Sequence, residues 1–176
     1  MQDSWCRGDL GLRCRNLVCT CSLCSTCFWD GVRCRDCPTS WQLVQSNGTM
    51  QPRIYCYIKM NSYVNWNDSL DTCASTATSY FGPKSHLIYI DDKQELDDVS
   101  SFATNEYYDI FIGHTNQYNV SQWMLANGTV SPTMKWCPSI SGNFTDVKCA
   151  RIMIGSVCIA DIACSGWTSR YICELD

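Results

Sequence analysis

From Arg53 to Lys59 the chain reads Arg-Ile-Tyr-Cys-Tyr-Ile-Lys, an alternating stretch rich in β-branched and aromatic side chains that predicts a strand. The period then changes. Trp66, Leu70 and Cys73 follow the polar Asn65 at i, i+4 and i+7, one face of a short helix. Asp92-Lys-Gln-Glu95 has the form of a capping box, and Leu96, Val99 and Phe102 supply the apolar stripe of a second helix. His86–Ile90 and Asp109–Gly113 read as strands or extended core segments, and Cys149–Ile154 and Arg170–Leu175 as strands that close a sheet. Between them, His114 to Lys148 is long and rich in Asn, Ser, Thr, Pro and Gly. Two helices among strands, without βαβ alternation, predict an α+β fold.

Cysteine usage adds a boundary. The chain of 176 residues holds 15 cysteines, far above ordinary globular usage. Such density points to a disulfide framework in an oxidising compartment, and away from a cytosolic enzyme or nuclear factor. Residues 1–36 carry Cys6, Cys14, Cys19, Cys21, Cys24, Cys27 and Cys34 with almost no aliphatic periodicity, so bridges rather than a core must hold this segment. Residues 37–176 carry the other eight and nearly all the patterned hydrophobic sequence. The expected organisation is therefore a cysteine-rich segment at 1–36 and one domain at 37–176. An odd total leaves at least one thiol free or shared with another chain. With seven cysteines in the first segment, a disulfide-linked homodimer through an N-terminal cysteine is expected.

Five Asn-x-Ser/Thr sequons, at Asn47, Asn67, Asn119, Asn127 and Asn143, are the expected N-glycosylation sites and agree with a secretory route. Met1-Gln2-Asp3-Ser4 has neither a basic nor an apolar leader region, and no apolar run approaches the ~20 residues that span a bilayer. The chain is read as a secreted protein or the extracellular part of a membrane protein. Net charge is −4 with no basic face, so nucleic-acid binding is not expected.

The landmarks from Cys37 onward come in an order that resembles a C-type lectin-like domain of the long form. Cys37-Pro-Thr-Ser-Trp41 is similar to its opening hairpin, Tyr55-Cys56-Tyr57 to the return strand, and Trp66 through Cys73 to the first helix. Leu87-Ile-Tyr-Ile90 with Gln94-Glu95-Leu96 resembles the second helix region. Phe111-Ile112-Gly113 stands where the family has Trp-Ile-Gly. Trp123, Ala126-Asn-Gly-Thr129 and Lys135-Trp136 resemble its tryptophan-bearing long loop, and Cys149, Cys164 and Tyr171-Ile-Cys-Glu174 its closing cysteines. The resemblance implies a C-type lectin-like fold with two helices and antiparallel sheets. It also implies the pairings Cys37–Cys56, Cys73–Cys173 and Cys149–Cys164, whereas eight cysteines alone allow 105 connectivities. Cys137 and Cys158 are extra to the family's common set and are expected to pair with each other.

Sugar-binding members of that family hold calcium with a Glu-Pro-Asn or Gln-Pro-Asp triplet in the long loop and with the Asn-Asp of a Trp-Asn-Asp triplet. Here Ile140-Ser141-Gly142 stands at the first position and Ile159-Ala160-Asp161 at the second, while Val147 and Lys148 replace a further acidic ligand. Calcium needs six to eight oxygens, and only Asp161 survives as a ligand. No calcium or other cofactor is therefore expected, and Asp161 is read as a hydrogen-bonding residue of a strand end or loop.

Catalysis has little to draw on. His86 and His114 are the two histidines, and neither sits in a nucleophile pattern. Asp91-Asp92 and Asp97-Asp98 read as a helix start and a solvated helix face, and no phosphate loop is present, so no enzyme is expected. Cys19-Thr-Cys21-Ser-Leu-Cys24-Ser-Thr-Cys27 has spacings that could clasp zinc, but in a secreted chain disulfides take precedence. The expected function is recognition of a protein ligand through the long loop, with Trp123, Met124 and Trp136 as candidate contacts. Tryptophans of such loops also serve as core, and sequons at Asn119, Asn127 and Asn143 crowd the same stretch. The alternatives are an integrin-directed adhesion ligand acting through Arg7-Gly8-Asp9 in a Cys6–Cys14 loop, and glycan binding at an atypical site.

Overall fold

The computed structural model describes residues 12–15, 18–21, 27–29, 34–45, 54–76, 85–103, 109–132, 134–138 and 147–175. In the cysteine-rich segment, β1 (Leu12–Arg15) pairs antiparallel with β2 (Val18–Cys21), placing Cys14 opposite Cys19. A second ladder joins β3 (Cys27–Trp29) to β4 (Cys34–Asp36). Arg7-Gly8-Asp9 lies outside the described residues, as do the side chains of all seven cysteines of this segment.

The main sheet holds the rest of the strands. These are β5 (Gln42–Gln45), β6 (Ile54–Val64), β7 (Ser85–Leu87), β8 (Ile110–Thr115), β9 (Met124–Leu125), β10 (Cys149–Met153), β11 (Cys158–Ile162) and β12 (Ser169–Leu175). Their order is β11-β10-β8-β12-β6-β5, with β7 on β12 and β9 on β8. Every pairing is antiparallel except β8 with β12, which run parallel at Ile110↔Arg170 and Phe111↔Tyr171. The sheet is thus mixed, because β8 reaches β12 only by way of the long segment and the β10–β11 hairpin.

Both helices begin at side-chain caps. For α1 (Trp66–Thr76), Asn65 Oδ1 accepts the Asp68 amide at 2.9 Å and Asn65 Nδ2 donates to Asp68 Oδ2 at 2.7 Å. For α2 (Lys93–Phe102), Asp92 Oδ1 accepts the Glu95 amide at 2.9 Å, and Glu95 Oε2 reaches back to the Asp91 amide at 2.7 Å. These contacts satisfy amides that a helix start leaves unpaired. Glu95 is buried, and its second oxygen accepts the Tyr57 hydroxyl at 3.1 Å. Burial, followed by the charges of Glu174 and Glu95, pushes Tyr57 far above its ordinary range and keeps it protonated as a donor.

Two large clusters make up most of the core, beside two small ones around Cys56 and around Cys137–Cys158. Tyr57, Ile88, Leu96, Val99, Ile110, Ile112, Ile152 and Ile172 fill the one under α2. Trp66, Leu87, Phe111, Tyr171 and two disulfides fill the one under α1, where the buried Trp66 donates from Nε1 to Ile112 O at 2.8 Å. Disulfides join Cys37 to Cys56, Cys73 to Cys173, Cys137 to Cys158 and Cys149 to Cys164.

Among the described glycines, Gly113 is the one with no room for a side chain. Its amide donates to Ile88 O at 2.7 Å, and a Cβ here would lie 2.6 Å from Leu87 O and 2.5 Å from Tyr89 Cε1. One of those atoms is backbone, so side-chain rotation cannot relieve the clash. Gly113→Ala is expected to destabilise the domain by about 1–3 kcal/mol, as overpacking does. Urea unfolding checks this, and an unchanged midpoint would contradict the close approach.

Candidate binding surface

The segment between β8 and β10 is pinned at its base. Asn116 is buried; its Oδ1 accepts the Lys148 amide at 2.6 Å and its amide donates to Lys148 O at 3.0 Å. Thr115 Oγ1 donates to the same carbonyl at 2.9 Å. Beyond this clasp, β9 lies along β8, and Met124 bridges to Val130 across a turn in which Gly128 takes φ +85°. The left-handed backbone there explains the glycine.

His114 ties this hairpin inward. The Ile90 amide donates to Nε2 at 2.8 Å, which leaves Nδ1 as the protonated nitrogen, facing Ser131 Oγ at 2.9 Å. Ser131 Oγ passes its own proton to Pro132 O at 3.2 Å. The ring is fully buried, and burial pulls its pKa down to about 3. It is a structural strut that stays neutral at ordinary pH.

The tryptophans expected at an interface occupy a different position. Trp123 and Trp136 are half-buried, face each other at 4.7 Å between ring centroids, and pack on the cluster under α2. Trp136 is further fastened to β11: the Cys137 amide donates to Ile159 O and the Ile159 amide to Lys135 O, both at 2.9 Å, beside the Cys137–Cys158 bond. Met124 is half-buried within β9. The structure brings the two rings together against the core cluster, with part of each left exposed.

The segment does expose Tyr118, Val120, Val130 and, just before β10, Val147. A separate exposed group stands on the sheet. Trp167, 57% exposed, lies over the Arg151 guanidinium at 5.9 Å, and Asp109 holds that guanidinium at 2.6 Å. Ser169 Oγ donates to the Asp109 carbonyl and fixes the carboxylate's strand end. Tyr63 is also exposed, with Arg170 over its ring at 5.2 Å. Nothing in the hydrophobic periodicity marks Trp167, since it stands alone in a polar Ser-Gly-Trp-Thr run.

At the two calcium-triplet positions, Ile140, Ser141 and Gly142 lie outside the described residues. Ile159 is buried in the cluster under α2, Ala160 packs beside Cys137 and Cys158, and Asp161 lies in β11 opposite Ala150. Asp161 is the one side-chain carboxylate the second triplet offers. Among the described residues no group of three or more His, Cys, Asp or Glu is placed to hold a metal. Of the sequons, Asn67 lies on α1 and Asn119 and Asn127 in exposed turns, while Asn47 and Asn143 are outside the described residues.

The arrangement of two capped helices, the β8–β12 parallel pair and the disulfides closing the long segment has counterparts among known proteins. The C-type lectin domain model matches residues 62–175. The chain belongs to the C-type lectin domain family. The CD209 antigen of Symphalangus syndactylus is 26% identical over 120 residues, which is 67% of this chain and 28% of that protein. This chain therefore spans little more than a quarter of that relative's length. The C-type lectin CEL-I of Cucumaria echinata superposes with TM-score 0.66 at 19% identity, covering 81% of this chain and 99% of that one. The human scavenger receptor C-type lectin carbohydrate-recognition domain gives 0.62 at 20%, with 80% and 99% covered. Herring type II antifreeze protein gives 0.60 at 21%, with 78% and 97% covered. At these identities the likeness to the three structures shows the fold alone. C-type lectin domains are generally binding modules and are typically extracellular or at the cell surface. No helix among the described residues is long and apolar enough to cross a membrane.

Proposed function

We propose that this lectin-type chain is a secreted or cell-surface recognition module that binds a protein ligand without calcium and carries out no catalysis. The observation that carries the reading is the exposed Trp167 over Arg151, braced by Asp109. Tryptophan and arginine are the residue types that most often dominate binding energy at protein interfaces, and a guanidinium already held in place loses little freedom on docking. The apolar Ile159 and Ala160 support calcium independence, because neither supplies an oxygen to an ion that needs six or more. Similarity to the CD209 antigen and to a scavenger receptor domain supports a recognition role.

The test is a binding screen of the intact chain against displayed extracellular proteins and a glycan array, with and without a calcium chelator. A protein ligand retained in chelator is expected. Trp167→Ala should weaken it at least ~10-fold, the effect of an anchor worth about 1.4 kcal/mol or more, with an unchanged circular dichroism spectrum. Glycan binding abolished by chelator would overturn the proposal.

A further inference from the structure

We infer that Asn119 and Asn127 are the sites at which this domain carries N-linked glycans, and that the first sugars lie over Tyr118, Val120 and Val130. The inference rests on the extracellular reading above. In both sequons the folded chain holds the asparagine in the same way. Asn119 Oδ1 accepts the Ser121 amide at 3.1 Å and the Ser121 hydroxyl at 2.7 Å. Asn127 Oδ1 accepts the Thr129 amide at 2.9 Å and the Thr129 hydroxyl at 2.8 Å. The carboxamide oxygen is thereby occupied by the third residue of its own sequon, and both side chains are exposed. Each Nδ2, the nitrogen that forms the sugar bond, has no hydrogen-bond partner among the described residues.

Asn67 is exposed as well, but its place in the fold and the third residue of its sequon differ. It sits in the first turn of α1, and its Oδ1 is met by Gln117 Nε2 at 3.5 Å. Ser69 is buried and donates its hydroxyl to Trp66 O at 2.6 Å, so the third residue of that sequon is turned into the core.

The attachment uses a lipid diphosphate-linked oligosaccharide as donor. The bond from Asn Nδ2 to the sugar C1 forms, the bond from C1 to the diphosphate oxygen breaks, the lipid diphosphate leaves, and Nδ2 gives up one proton to a base.

The second part follows from what surrounds the two asparagines. Tyr118 is 57% exposed and Val130 60% exposed, with Val120 beside Asn119 and Tyr118 Oη fixed on Ala126 O at 3.0 Å. All three stand exposed on one stretch of the long segment. Here they immediately flank the two sequon asparagines or their turns in the chain. Sugar rings present apolar C–H faces that suit an aromatic ring and valine methyls.

Expression through a eukaryotic secretory pathway, followed by mass mapping of glycopeptides, tests the attachment. Occupied Asn119 and Asn127 with bare Asn67 is the expected result. Occupancy of other sequons with Asn119 and Asn127 bare overturns the inference and leaves the extracellular reading standing. No occupancy at any sequon likewise overturns the inference, whereas retention of the chain inside the cell instead of release into the medium counts against the extracellular reading. The covering role is read from the melting temperature of protein trimmed to one sugar per site against fully deglycosylated protein. A fall of roughly 2–4 °C, the effect of about 1 kcal/mol in a domain of this size, is expected on full removal. The fall should be lost in Tyr118→Ser/Val130→Ser, and an equal fall in that variant overturns the covering role.

Discussion

Replacing Cys73 and Cys173 together by alanine is expected to lower the stability of the domain by about 4–5 kcal/mol, the largest effect of any of its bridges. The bond closes a loop with a sequence separation of 100 residues and ties α1 to β12, the strand that also pairs β6, β7 and β8. A chain-entropy treatment assigns a loop of that length about 4.7 kcal/mol and the 21-residue separation of Cys137–Cys158 about 3 kcal/mol. Both sulfurs of the longer bond are fully buried among Trp66, Leu87 and Tyr171, so their loss also removes packing. Denaturant unfolding of the two double variants checks the ordering, and in melting temperature the longer bond should be worth roughly 10–20 °C. A Cys73/Cys173 variant as stable as the Cys137/Cys158 variant would show that the α1–β12 tie is redundant with the sheet.

That bond illustrates what sequence could and could not show. Its partners came from an ordered resemblance, because spacing alone leaves the connectivity open. The helices were legible in a stronger sense. Asn65 and Asp92 announce their starts, and Trp66, Cys73, Leu96 and Val99 carry the 3.6-residue stripe that the core then buries. Strands buried on both faces were harder to read. In β8 all six residues are buried, His114 and Thr115 included, so polarity there does not report exposure. Cys-Ile-Ala-Asp-Ile of β11 lacks alternation for the same reason, and the strand was not foreseen. The parallel pairing of β8 with β12 is a property of the connection between distant segments and has no local signature.

The candidate surface was legible only in composition. Trp123 and Trp136 are the residue types of an interface, but their environment decides the matter: each has the other and the core cluster as neighbours. Trp167 has an arginine on one face and solvent on the other. Which tryptophan a fold buries depends on contacts from β10 and β11, which lie far away in sequence. The sequons show the same principle. Five are equivalent as tripeptides, and only the fold separates Ser69, turned into the core, from Ser121 and Thr129, bonded to their own asparagines.

Acidification below about pH 6.5 is expected to destabilise the domain through His114, by up to about 1.4 kcal/mol for each pH unit. The sign follows from the ring's place in the fold. Its pKa is held down to about 3 by burial, against 6.5 for the free side chain. Between those values the unfolded chain binds a proton that the native chain refuses, so stability is full above the unfolded value and falls with pH toward the folded one. The integrated loss between pH 6 and pH 4.5 is on the order of 2 kcal/mol. Protonation would also place a second N–H against the Ile90 amide, where Nε2 now accepts at 2.8 Å, so the native bond and the charge are incompatible. His114→Gln isolates the contribution from that of the carboxylates, which titrate alike in both proteins. It should be less stable than the parent near neutral pH, with the gap narrowing by about 2 kcal/mol at pH 4.5 in urea unfolding. A gap that stays constant would mean the ring accepts its proton in place. Because His114 also holds Ser131, the return of the β9 hairpin is the part of the long segment that should loosen first in acid, read as earlier hydrogen exchange at Leu125 and Ser131 than at Ile112.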